Sequence, residues 1–145
     1  MSRLGFLPNG NLKALRRDLQ NLLMGVFKTS FKVCNPKDEN KCVLVKDAIV
    51  DTGSTLTWVP SGVLEQIGLK PEKTRTFVSI TGEKIERGVS PALCQADGEK
   101  PAGCDVVFGK QGDRTVLGAT VLETLGLDVD MDTQKLKRKT SFLAV

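Results

Sequence analysis

The chain has 145 residues and 21 Lys and Arg against 17 Asp and Glu, a formal net charge of +4. This length suits one domain with a modest core. The absence of His excludes serine or cysteine catalysis through a His base, and His-ligated zinc. No apolar stretch is long enough to cross a bilayer, so no membrane span is expected.

Residues 1–24 place Leu12, Leu15, Leu19, Leu22 and Leu23 at helical spacing, with Lys13, Arg16, Arg17 and Gln20 between them. This predicts an N-terminal amphipathic helix, started near Pro8 and Asn9 or Asn11 and ended by Gly25. It carries four basic residues and one acid, a net +3 of the chain's +4. Such a stripe packs on the body or on a dimer mate; a basic targeting or membrane-surface segment and a disordered extension are the alternatives. The start of the chain lacks a cleavable secretory pattern, so a cytoplasmic location is expected.

From residue 25 the pattern becomes that of a mostly β domain, running to residue 145. Phe27, Thr29, Phe31 and Val33 alternate with polar neighbours, and Pro36 marks a turn across residues 35–40. Val43, Leu44 and Val45 return, and Ala48, Ile49 and Val50 lead into Asp51. Pro60 and Ser61 read as the cap of a short helix over 63–67, ended by Gly68. Residues 76–80 and the run from Ile85 predict a β-hairpin with Thr81 and Gly82 at its tip. Leu93 and Cys94 with residues 104–108 suggest another strand pair. Val116, Leu117 and Gly118 lead into a helix from Ala119, closed by Gly126, and 127–130 with Leu136 form a last hairpin.

Within this order, Asp51-Thr52-Gly53-Ser54 follows an apolar strand. Gly53 allows close backbone approach, and the hydroxyls of Thr52 and Ser54 can hold a carboxylate and its turn through local hydrogen bonds. An ordinary Asx turn is the plain alternative. The tetrapeptide resembles the active-site signature of aspartic proteases. Over residues 26–137 the chain is similar to the retropepsin-like (clan AA) aspartic proteases, especially the small single-domain prokaryotic aspartyl proteases. The resemblance rests on 49–53, on the apolar-apolar-Gly element Val116-Leu117-Gly118 before a helix, on the intervening hairpin and on 117–127.

The resemblance implies a retropepsin-like acid protease fold, one lobe per chain with one or two short helices. Asp51 would be the catalytic carboxylate. Thr52 would brace the loop against its mate, Gly53 would give its N–H to the carboxylate, and Ser54 a hydroxyl to the outer oxygen. Val116, Leu117 and Gly118 would support the site, and Ile80, Thr81, Gly82 and Glu83 would form a flap over a peptide or protein substrate. Such chemistry needs two carboxylates sharing one proton, because two so close cannot both ionise. The motif occurs once, and Asp132-Thr133-Gln134 lacks the glycine and reads as a solvated hairpin turn. The second Asp51 must therefore come from a second copy, in a two-fold homodimer. The expected function is an aspartic endopeptidase without cofactor or metal; the alternative is a non-proteolytic dimerisation or peptide-binding module.

Trp58 reads as core or dimer packing, with a pocket wall as the alternative. The basic run Lys135, Lys137, Arg138 and Lys139 reads as solubilising, with no nucleic-acid partner. Cys34 and Cys42 flank one predicted turn, Cys94 and Cys104 another. Opposed positions on paired strands could permit disulfides where the geometry suits; without an export signal free thiols are the expectation, and a four-thiolate zinc site is disfavoured by the spacing.

Overall fold

The computed structural model describes residues 27–144; the helix expected over 1–24 lies outside them. The described residues form nine strands and two short helices, the mostly β domain that the alternating runs predict. The strands are β1 (Lys28–Asn35), β2 (Asp38–Asp51), β3 (Thr57–Pro60), β4 (Lys73–Val78), β5 (Lys84–Gln95), β6 (Ala102–Gly109), β7 (Val116–Gly118), β8 (Leu127–Asp130) and β9 (Lys135–Arg138). Helix α1 covers Ser61–Gln66 and α2 covers Ala119–Leu125.

Seven strands form one sheet in the order β1-β2-β7-β3-β6-β5-β4. An added β1–β5 pairing closes all but β4 into a ring, so few strand edges stay open. Strand β5 serves three neighbours in turn: its first half pairs with β4, its second with β6, and its end with β1. The ring encloses Phe31, Val33, Val59, Val106 and Leu117, with Leu64 of α1 and Val121 of α2 packed in from the helices.

Strand β2 joins two apolar runs of opposite parity. Thr29 pairs with Ala48 but Phe31 with Val45, so Ser30 faces two residues, Lys46 and Asp47. Asp47 takes φ 56° at this bulge. The extra residue lets Val45, Ala48 and Val50 all point inward, which a regular strand could not do. The turn expected across 35–40 tightens to Pro36 and Lys37, with strand resuming at Asp38.

The cysteine expectation is corrected in part. Cys34 and Cys42 are directly opposite across β1–β2 and form a disulfide. Cys94 faces Ala102 and Cys104 faces Ala92, so these two are offset along their strands and remain buried thiols. Burial pushes the Cys94 thiol up to about 12, and burial also raises Cys104; neither is a reactive thiolate at neutral pH.

Ser61 opens α1 without capping it. Its hydroxyl donates to the carbonyl of Gly109 in β6 at 2.9 Å, while Gly68 ends the segment at φ +80°. Helix α2 ends as expected, with Gly126 left-handed at φ 70°. Asp132, Thr133 and Gln134 lie in the β8–β9 turn, where the Asp130 carboxylate accepts the N–H groups of Asp132 and Thr133 at 3.0 and 3.2 Å. Among the described residues, no helix is long and apolar enough to cross a membrane.

Leu64 is fully buried whereas Leu44 is 55% exposed. Leu64→Ala is expected to lower the unfolding free energy by about 2–5 kcal/mol, and Leu44→Ser by no more than about 0.5 kcal/mol. Urea titration of both variants checks the assignment of the core.

Candidate active site

Strand β2 ends at Asp51, and the chain then turns sharply. Ser54 donates its N–H to the Asp51 carbonyl at 3.1 Å. Gly53 donates its N–H to Asp51 Oδ1 at 2.9 Å. Asp51 as a residue is half-buried, with Thr52 and Gly53 exposed beside it. The turn thus holds one side-chain oxygen of Asp51 against a backbone amide and presents the group at the surface.

The loop after Asp51 is fixed from the neighbouring strand. Strand β7 runs parallel to β2 and sets Ile49, Val50 and Asp51 beside Val116, Leu117 and Gly118. Three successive amides, that of Gly118 at the end of β7 and those of Ala119 and Thr120 at the start of α2, then hold the loop and the first residue of β3. Gly118 N–H donates to Thr57 Oγ1 at 2.9 Å in a buried contact. Ala119 N–H donates to the Ser54 carbonyl at 2.8 Å, and Thr120 N–H to the Thr55 carbonyl at 3.1 Å. The Thr120 hydroxyl adds a 2.6 Å bond to that Thr55 carbonyl.

Gly118 is a steric requirement. A Cβ there would fall on the Leu56 carbonyl oxygen and lie 2.7 Å from the Ser54 carbonyl oxygen. Any side chain would push the Asp51 loop off β7, which explains why the apolar-apolar-Gly element ends in glycine.

One expected contact differs. The Ser54 hydroxyl donates to the Leu56 carbonyl at 2.8 Å, so its proton braces the turn and is not directed at Asp51. Thr57 went unread in the sequence, although it is the buried partner of Gly118 and fully enclosed. The signal available was a hydroxyl residue two positions before Val59 in an alternating run.

The β4–β5 hairpin forms where predicted. Ser79 N–H donates to the Glu83 carbonyl at 2.8 Å and Gly82 N–H to the Ser79 carbonyl at 2.9 Å, with Gly82 at φ +85°. Ile80 at the tip is 88% exposed. Hydrogen bonds thus hold Ile80, Thr81, Gly82 and Glu83 within a self-contained turn, and no bond links them to Asp51. The hairpin arms do reach the body. Phe77 of β4 packs on Trp58 of β3 with ring centroids 4.8 Å apart. Trp58 itself pairs with Val116, so this stacking touches the strand beside Asp51. Trp58, half-buried, thus makes a packing contact between β3 and β4.

Among the described residues, no group of three or more Cys, Asp or Glu is placed to hold a metal ion. No protein-family model matches the chain, and no curated protein sequence is significantly similar to it. Chemically, the arrangement provides one carboxylate on a rigid loop, an amide on one of its oxygens, and an exposed hairpin anchored to the adjoining strand.

The Gly118–Thr57 contact gives a direct test. Thr57→Val leaves a buried N–H without a partner and is expected to cost about 1–3 kcal/mol, whereas Thr57→Ser keeps the acceptor and loses only a methyl. Thermal unfolding of the two variants should separate them clearly, with Thr57→Val the less stable.

Proposed function

We propose that the protein is an aspartic endopeptidase of retropepsin-like fold, active as a homodimer with one Asp51 from each copy. The observation that carries this reading is the Asp51 loop: a carboxylate held on a Gly53 amide, its loop locked to β7 through the side-chain-free Gly118. An Asx turn explains the amide contact alone. It does not account for the β7–α2 junction committing the Ala119 and Thr120 amides to the same loop and the Gly118 amide to Thr57 just beyond it.

In the proposed reaction, two Asp51 carboxyls flank one water on the two-fold axis, one ionised and one protonated. The ionised group takes a proton from the water as its oxygen attacks the scissile carbonyl carbon. The protonated group gives its proton to the carbonyl oxygen, leaving a neutral gem-diol. Collapse returns one proton to the leaving nitrogen, breaks the C–N bond and restores the shared proton. General acid–base transfer by positioned groups accounts for the rate without a covalent intermediate.

The substrate is an extended peptide, held by strand-like backbone pairing. Ile80, Thr81, Gly82 and Glu83 act as the flap that closes over it and excludes water. The exposed Ile80 supplies apolar surface that becomes covered on closure. Thr52, exposed in the single chain, faces the mate's loop and braces the pair.

Cleavage of a peptide library from acid to neutral pH tests this reading. Asp51→Asn is expected to lower turnover by roughly 10²–10⁴-fold without loss of folding or dimerisation, and a pepstatin-type inhibitor should block the wild type. A folded, dimeric wild type that cleaves nothing at any pH would favour the non-proteolytic peptide-binding module instead.

A further inference from the structure

The Arg87–Asp113 pair differs from the other ion pairs of the described residues. Arg87 Nε donates to Asp113 Oδ2 at 2.6 Å and Nη2 to Oδ1 at 3.0 Å, a fork-to-fork contact of the strong type. Its side chains are 14% and 16% exposed, against 45% and 32% for Lys73–Asp105. Exposed pairs contribute little to stability; one withdrawn from water and fully hydrogen-bonded is costly to break. Asp113 is also fixed within its own turn, since Lys110 N–H donates to Oδ2 at 2.7 Å and Asp113 N–H to the Lys110 carbonyl at 2.9 Å.

The placement of the pair gives it a role. Arg87 lies on β5 directly opposite Arg75 on β4, a like-charge rung that weakens the hairpin unless a counter-charge is supplied. Asp113, from the loop between β6 and β7, supplies it. Two residues on, the Thr115 carbonyl accepts the N–H of Ile49 at 2.9 Å, and Ile49 precedes Asp51 by two residues. The hairpin is thereby tied to the backbone that delivers Asp51.

We propose that Arg87 and Asp113 form a strap that sets the β4–β5 hairpin against the loop feeding β7, so that the flap and the Asp51 loop are positioned together. They are positioning residues, and the inference rests on the reading of Asp51 and the hairpin given above. The charged groups acting on Asp113 are Arg87 from β5 and Lys110 from its own loop. The hydrogen bond from Arg87 chiefly, with the Lys110 N–H and both cations, outweighs burial and holds the Asp113 carboxyl below its ordinary value. With its folded value depressed, Asp113 stabilises the strap fully above the ordinary carboxylate range, and that support is lost as pH falls through the depressed value. The strap therefore survives mild acid.

Amide hydrogen exchange on the full chain, which needs no turnover, tests the strap beside peptide-cleavage kinetics. Arg87→Met should speed exchange in the β4–β5 ladder about tenfold, the scale of a lost charged hydrogen bond, while β6 amides keep wild-type rates. Arg87→Lys should fall between, and kcat/KM of Arg87→Met should drop about tenfold, mainly through KM. In the wild type, ladder protection should hold through mild acid and fall only below it; in Asp113→Asn, which keeps an acceptor for Lys110 N–H and covers the case in which Arg87→Met fails to fold, it should be low throughout. Equal acceleration in the ladder and β6, or none in either, would overturn the strap. Exchange that follows this pattern in a protein without peptidase activity would leave the strap standing and remove the protease reading. Cleavage that requires Asp51 but is unchanged in Arg87→Met would do the reverse.

Discussion

The contact between Gly118 and the carbonyl groups of Ser54 and Leu56 fixes the rest of the site. With no Cβ at 118, the β7–α2 junction comes close enough for the Ala119 and Thr120 amides to meet the loop that follows Asp51 and for the Gly118 amide to meet Thr57. Each bond is modest, of order 1 kcal/mol net, but together they leave the loop one position relative to β2. A carboxylate that must share a proton with another cannot wander, because proton transfer is effective only at hydrogen-bond distance. On the proposed reading the glycine serves the geometry of Asp51, although it lies on a different strand.

The closed sheet carries this geometry outward. Val116 pairs with both β2 and β3, so the strand that pins Asp51 also seats Trp58. Trp58 receives Phe77, and Asp113 receives Arg87. The hairpin is joined to the body by an aromatic contact and an ionic one, while its tip keeps to its own hydrogen bonds and leaves Ile80 in solvent. A tip bonded within itself above firmly held arms suits the closure proposed for it.

Local patterns in the sequence made most elements legible. Alternation marked β1, glycines at 68 and 126 marked the helix ends, and the Thr81-Gly82 tip marked the hairpin. What stayed hidden depends on distant pairing. Strand β3 is four residues long and forms because it lies parallel to β6, a partner that no local period reveals. Cys34–Cys42 and Cys94–Cys104 look alike in sequence, yet only the first pair is in register across its strands. Arg87 and Asp113 lie 26 positions apart, so neither marks the other. The resemblance singled out Asp51, Gly53 and Gly118, which the structure sets side by side, while the direction of the Ser54 hydroxyl was not legible, because a serine next to a turn has several carbonyls within reach.

The central claim is that each active site takes one Asp51 from each of two chains. Mixing wild type with Asp51→Asn at known ratios, under conditions that let dimers exchange, tests it most directly. If both carboxyls are required, only wild-type pairs cleave, and specific activity falls as the square of the wild-type fraction. A fall in simple proportion to that fraction would show that one chain suffices and would contradict the account.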